Sequence, residues 1–259
     1  MESNRPTSLS LFIPCLMDMV FPQAARDLTA LLRNLGFQVA YPQNQTCCGQ
    51  PAFNQGFIKQ AKSLAQRFLI LFDSAELIVC PSGSCTAMVR KHYPEMFSQE
   101  PQWLAKAQRT ARKIFEVSEF LVRFVPLEKL TPSFPFTVTY HDSCHSNRVL
   151  GISEQPRRLL AQVEGLTLIE MESSEACCGF GGLFSQKYPR LSQAIGLEKV
   201  KAIRNTGARF VISNDPGCLL HIQSGLQEQK VSIGVKHLVE VLAPNRGDKH
   251  HYAFSNRTL

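Results

Sequence analysis

Eight cysteines recur in one pattern. Cys15 is followed 32 residues later by the adjacent pair Cys47 and Cys48, then by Gly49, and later by Cys85. Cys144 is followed 33 residues later by Cys177 and Cys178, then by Gly179, and later by Cys218. Thiols used only as small apolar fillers of a core would obey no spacing rule. Four per repeat suits metal ligation or thiol redox chemistry. A single zinc ion takes four ligands in a tetrahedron, and adjacent cysteines reach one ion only through a strained small ring. Adjacent thiolates can instead bind different irons of a cluster, for which four cysteines is the common count. The residues leave three occupants open: an iron–sulfur cluster, zinc, or bare redox thiols with a vicinal disulfide as one state.

The neighbourhood of the thiols fits such chemistry. Cys85 ends "PSGSC" and Cys218 ends "NDPGC", turn sequences that open into helices. A thiol at a helix N-terminus favours its thiolate, the metal-binding form. Gly49, Gly179, Gly181 and Gly182 allow sharp bends and close backbone approach. His141 and His145 flank Cys144, with Arg148 one turn on. They are candidates for a proton donor or a carboxylate-binding pair, or equally for polar residues at a strand end. Asp142 and Ser143 read as helix caps. The run "GFGG" after Cys178 lacks the spacing of a dinucleotide fingerprint, which argues against nucleotide binding. Cys80 aligns with Ser213, outside the repeat, and reads as a buried thiol; His221 and His237 read as structural.

The elements that must position these residues also repeat. "LSLFIP", "FQVAY" and "ELIVC" are short apolar strands in the first half, and "FTVTY", "LTLIEM" and "RFVIS" match them in the second. Helical spacing predicts helices over 22–35, 54–72 and from about Ser84, then near 153–163, over 185–205 and from about Cys218. A further helix-like stretch runs from Lys106 to Arg123. Alternating strands and helices predict an α/β fold of two tandem duplicated cysteine-rich domains, each with a mostly parallel sheet covered by helices. The expected boundaries are 1–125 and 126–243, with "VPLEKLTPSFP" (125–135) as linker and 244–259 as a flexible basic tail. Each repeat cysteine follows a strand, and the carboxyl ends of parallel strands share one edge, so the thiols of each half should gather there.

The 259 residues are 44% hydrophobic and 19% charged, an ordinary soluble composition. The net charge of +7 is spread out, without a basic patch interleaved with aromatics, so no nucleic-acid partner is expected. No apolar run approaches the ~18–20 residues of a membrane span. Pro14 and Asp18 interrupt the apolar N-terminal stretch, so no secretory signal is expected and the chain is assigned to the cytoplasm.

The motifs "QTCCGQPAFNQG", "PSGSC", "YHDSCH", "CCGFGG" and "NDPGCLLHI" resemble the lactate utilization protein A family. That family is related to the CCG-bearing component of heterodisulfide reductase and to the iron–sulfur component of glycolate oxidase. The resemblance runs from about residue 9 to 243. It implies a redox subunit of a multi-subunit oxidoreductase that oxidises L-lactate to pyruvate and passes electrons to partner subunits, a ferredoxin-type iron–sulfur protein among them. It implies an iron–sulfur cluster of 4Fe–4S type, with zinc as the alternative, on Cys15, Cys47, Cys48 and Cys85 and on Cys144, Cys177, Cys178 and Cys218. Heterodisulfide reductase ends each motif in C-x-x-C; here Ser82 and Asp215 stand at the first of those positions and are possible substitute ligands. The alternative function is a non-catalytic assembly module with structural zinc, or a subunit serving glycolate or heterodisulfides.

Overall fold

The strands are short, two to four residues each. β1 (Ser8–Leu11), β2 (Gln38–Ala40), β3 (Ile78–Cys80) and β4 (Ile114–Glu116) belong to the first half. β5 (Thr137–Tyr140), β6 (Thr167–Leu168), β7 (Phe210–Ser213) and β8 (Gly234–His237) belong to the second. In β3, β4 and β7 every residue is buried, as expected of strands covered on both faces. The computed structural model describes residues 6–243, so the tail expected at 244–259 lies outside the described residues.

The strands form two four-stranded sheets, ordered β2-β1-β3-β4 and β6-β5-β7-β8. All neighbouring pairs are parallel. The α/β fold of two helix-covered parallel sheets expected from the repeat is therefore the fold observed. In each sheet the chain leaves the first strand toward one edge and returns to build the other. The order reverses between β1 and β3 and between β5 and β7. Loops diverge at such a switch point and leave a crevice at the carboxyl ends of the strands.

Three expectations about elements change in detail. The helix expected over 54–72 is two pieces, Gln50–Asn54 and Ile58–Leu71. The one expected over 185–205 breaks at Tyr188, and Pro189 opens Pro189–Asn205. The stretch from Lys106 to Arg123 is divided between Pro101–Lys113 and Val117–Phe124 by β4, which pairs with β3. Tertiary pairing with β3 outweighs the local helical pattern there.

The halves pack reciprocally. Helix Cys15–Val20 of the first half lies against helix Pro216–Glu228 of the second. The π-helical turn His145–Val149 lies against helix Gly83–Ala87. These are the same two repeat positions with the halves exchanged. Helix Pro22–Asn34 likewise meets Leu238–Leu242, and Glu154–Leu160 meets Val117–Phe124. The contact is isologous, as in a two-fold dimer, but within one chain.

One continuous core runs through that contact. Leu9, Leu11, Leu28 and Phe120 join Val138, Phe210, Leu238 and Leu242. Residues 125–135 cross between the sheets, and Val125, Leu130 and Phe134 are buried in this shared core. The halves approach closely at Gly83, where an added Cβ would stand 1.8 Å from Ser146 Oγ. A larger residue there would force Ser146 to move.

Candidate functional site

The reciprocal packing brings the crevice of each sheet toward the other. A single cleft of about 290 Å³ results, lined by Cys15, Cys47, Cys48 and Cys85 on one side and Cys144, Cys177, Cys178 and Cys218 on the other. All eight repeat cysteines meet there, and none forms a disulfide.

Within each half the sulfurs form a chain. Cys48 donates to Cys85 with Sγ–Sγ 3.4 Å. Cys15 and Cys48 both hydrogen-bond Cys47, whose thiol is pulled down to about 3, first by Cys15 and then by Cys48. The donors move the other way: hydrogen bonding to Cys47 and burial hold Cys15 and Cys48 well above the usual thiol range. The second half repeats this. Cys144 and then Cys178 lower Cys177 to about 2, and Cys178 also bonds Cys218. The backbone N–H groups of Gly49 and Gly179 point at Cys47 Sγ (3.4 Å) and Cys177 Sγ (3.3 Å). In each set the sulfur of Cys47 or Cys177 is thus cradled by a backbone donor and stands among three further sulfurs. Four contiguous sulfurs with N–H support fit an all-thiolate metal centre.

The glycine of each CCG run is required by geometry. Gly49 has φ 86° and Gly179 φ 92°, the left-handed region where side chains are strained. A Cβ on Gly179 would also stand 2.5 Å from the carbonyl oxygen of Ser192. The turn thereby packs tightly on the following helix and turns both cysteines toward the cleft.

Ser82 and Asp215 are N-caps of the two cysteine-bearing helices. Ser82 Oγ accepts from Cys85 N–H at 3.3 Å, and Asp215 Oδ1 from Gly217 N–H at 3.1 Å. They also join the halves. Asp215 Oδ2 accepts the N–H of Ser84 at 2.8 Å and the hydroxyl of Ser82 at 3.3 Å. Both carboxylate oxygens of Asp215 thus hold helix ends.

The three polar candidates separate. His145 lines the cleft, its Nδ1 3.6 Å from Cys144 Sγ and its Nε2 3.1 Å from Gln50 Nε2. His141 is fully buried behind the cleft wall. Arg148 turns to the carbonyl of Glu175 at 3.2 Å and does not line the cleft. Ser143 caps the turn by accepting Ser146 N–H at 3.2 Å. Asp142 does not cap; it takes both prongs of Arg157 at 2.8 and 3.0 Å and the hydroxyl of Ser174 at 2.8 Å. Cys80 lies at the end of β3, fully buried, its sulfur 3.6 Å from the carbonyl of Ser82. Gln50 and Phe180 also line the cleft and are not among the residues expected there, and Lys199 lies buried away from it, bonded to the carbonyls of Ser173 and Ser174. The first two adjoin the CCG runs, a signal that could have found them, whereas nothing local marks Lys199.

Tandem parallel sheets presenting two CCG turns to one cleft define the CCG class of cysteine-rich domain protein. Matches to the family described as "Cysteine-rich domain" (CCG) cover residues 9–90 and 138–223 and contain every repeat cysteine. The chain is 41% identical to Lactate utilization protein A of Bacillus velezensis over 234 residues, which is 90% of this chain and 98% of that protein. It is 41% identical to Lactate utilization protein A 2 of Bacillus cereus over 235 residues, 91% of this chain and 97% of that one. The chain belongs to the lactate utilization protein A family. A solved structure of a hypothetical protein from Helicobacter pylori shares the fold with TM-score 0.67 at 14% identity. The match covers 96% of this chain, which spans about half of that one, 51%. No helix among the described residues is long and apolar enough to cross a membrane.

Proposed function

We propose that this chain is the thiol-ligated redox subunit of a multi-subunit oxidoreductase that takes part in oxidising L-lactate to pyruvate. Cys15, Cys47, Cys48 and Cys85 hold one metal centre, and Cys144, Cys177, Cys178 and Cys218 hold the other. The observation that carries the reading is the convergence of all eight repeat cysteines on one cleft, four contiguous sulfurs from each half. The relatives' names, which speak of lactate utilization, support the choice of lactate as substrate.

Iron–sulfur clusters at these positions supply one-electron transfer. The chain's own residues hold the sulfurs: the CCG glycines set the turns, Gly49 and Gly179 N–H groups stabilise the thiolates, and Ser82 and Asp215 fix the helices that carry Cys85 and Cys218. Oxidation of lactate to pyruvate releases two electrons and two protons. The electrons pass to partner subunits, a ferredoxin-type iron–sulfur protein among them. The chain works in the cytoplasm, where thiols stay reduced.

Iron, sulfide and zinc are measured per chain after anoxic purification. Brown protein with iron and sulfide in both halves is expected. Cys47→Ser should empty the first half and Cys177→Ser the second. Colourless protein holding only zinc would replace the redox reading with a structural-metal assembly module. A deletion strain without another lactate dehydrogenase should fail on L-lactate and grow on pyruvate. Full rescue by Cys47→Ser overturns the role of the thiols, and wild-type growth of the deletion strain overturns the substrate.

A further inference from the structure

The two halves differ at one place behind the thiols. In the first, Phe12 packs edge-on against Phe68, ring centroids 4.8 Å apart, and both are buried. Repeat alignment on Cys15 and Cys144 puts His141 at the position of Phe12. The CCG glycines mark the helix register: Gly49 faces Ala61 and Gly179 faces Ser192, which puts Lys199 at the position of Phe68. An aromatic pair in one half is therefore an imidazole and an ammonium in the other, and both are buried.

Lys199 is satisfied. Its ammonium donates to the carbonyls of Ser173 at 2.8 Å and Ser174 at 3.2 Å. His141 is not. It is 0% exposed, and neither Nδ1 nor Nε2 has a hydrogen-bond partner among the described residues. A buried imidazole normally satisfies both nitrogens, and one left with two orphans needs an explanation. A His141 nitrogen and the sulfurs of Cys178 and Cys218 all lie within 4.8 Å of one another. An ion bound among them would give the imidazole its missing partner.

We propose that His141 is a metal ligand, and that with Cys178 and Cys218 it gives the second half a mixed imidazole–thiolate centre unlike the all-thiolate centre of the first. This rests on the reading that the cysteine sets hold metal. Two sulfurs and an imidazole suit an iron or zinc ion. Phe12 denies the first half any such donor. A neutral imidazole among the ligands gives iron in the second half a potential different from that of iron in the first. The cleft then has a donor side and an acceptor side.

The test uses the full chain, made metal-free under anoxic conditions and titrated with cobalt(II) alone. X-ray absorption of the wild-type complex should show the outer-shell scattering of an imidazole ring. His141→Phe should abolish that signal and His145→Gln should keep it. His141→Phe should also weaken the second-half site by at least about 100-fold, the upper end of what losing even a supporting partner of a ligand costs. The first-half site of the same molecule should stay loaded and so report a folded chain. His141→Cys should restore affinity with a more sulfur-rich spectrum. Imidazole scattering that survives His141→Phe, or unchanged affinity in that variant, overturns the inference and leaves the proposed function intact. A wild-type chain that takes up neither cobalt(II) nor iron overturns both.

Discussion

Asp215, at the head of a helix in the second half, accepts the backbone N–H of Ser84 in the first half at 2.8 Å. The same carboxylate caps its own helix through Gly217 at 3.1 Å. One side chain, 4% exposed, thus ties together the two helices that present Cys85 and Cys218. Asp215→Ala leaves two backbone N–H groups without their acceptor. Each such loss costs about 1–3 kcal/mol, so a total near the sum of two is expected as a lower denaturant midpoint at pH 7. A midpoint equal to that of the parent chain would show that the bond contributes nothing to joining the halves.

The contact between Gly83 and Ser146 is steric. Gly83→Ala places a methyl group 1.8 Å from Ser146 Oγ, and overpacking of this kind costs about 1–3 kcal/mol. Removing the hydroxyl with Ser146→Ala should recover most of that loss, although the single change also deletes the 3.0 Å bond from Ser146 Oγ to Asn214. The cycle of four proteins should therefore be non-additive. Additive stabilities would mean that the halves separate at this point without cost.

Glu116 makes the fold sensitive to pH. It ends β4, is fully buried, and caps the next helix through the backbone N–H and hydroxyl of Ser118 and the N–H of Glu119. Burial raises its carboxyl from 4.5 to about 7, against those bonds. Between these values the folded chain holds a proton that the unfolded chain has released. Stability from this group is therefore present below 4.5 and is lost as pH rises through about 7, by ~3 kcal/mol in all. His141 and His237, both lowered to about 4 by burial, act with the opposite sign from pH 4 to 6.5. The quantity to measure is consequently the difference between wild type and Glu116→Gln in denaturant midpoints from pH 4 to 8. Parallel curves would remove Glu116 from the account.

Cys80 separates structural thiols from ligating ones. It lies fully buried among Phe12, Ile78 and Met88 and does not line the cleft. Cys80→Ala should lower stability by about 1 kcal/mol, for the small volume removed, and leave metal content per chain unchanged. Metal lost in that variant alone would enlarge the first ligand set beyond four cysteines.

Much of this protein was legible in one dimension because the forces concerned are local. The spacing of Cys15, Cys47, Cys48 and Cys85, and its repetition, needed only counting. Strand and helix alternate with a period set by backbone geometry, so β1, β3, β5 and β7 and the helix over Pro22–Asn34 stood out. Turn chemistry marked "PSGSC" and "NDPGC" as helix starts. β4 was hidden inside the helical pattern from Lys106 to Arg123, and pairing with β3 and β7 is what makes β4 and β8 strands.

What the tertiary structure decided lies across the contact between the halves. Spacing implied four thiols per half, but not that both sets would line one cleft, since reciprocal packing is selected by shape and no window of sequence holds that shape. Ser82 and Asp215 read as possible substitute ligands, and their meeting across 133 positions of chain, where they join the halves, is visible only in the fold. His141 read equally as a proton donor or carboxylate-binding residue and as a polar residue at a strand end. Its burial with two unsatisfied nitrogens, against sulfurs 37 and 77 residues away, exists only once the second sheet has folded. Local sequence sets periods and turns at a cost of a few residues. Contacts between distant segments are fixed by packing and desolvation, which are properties of the assembled core.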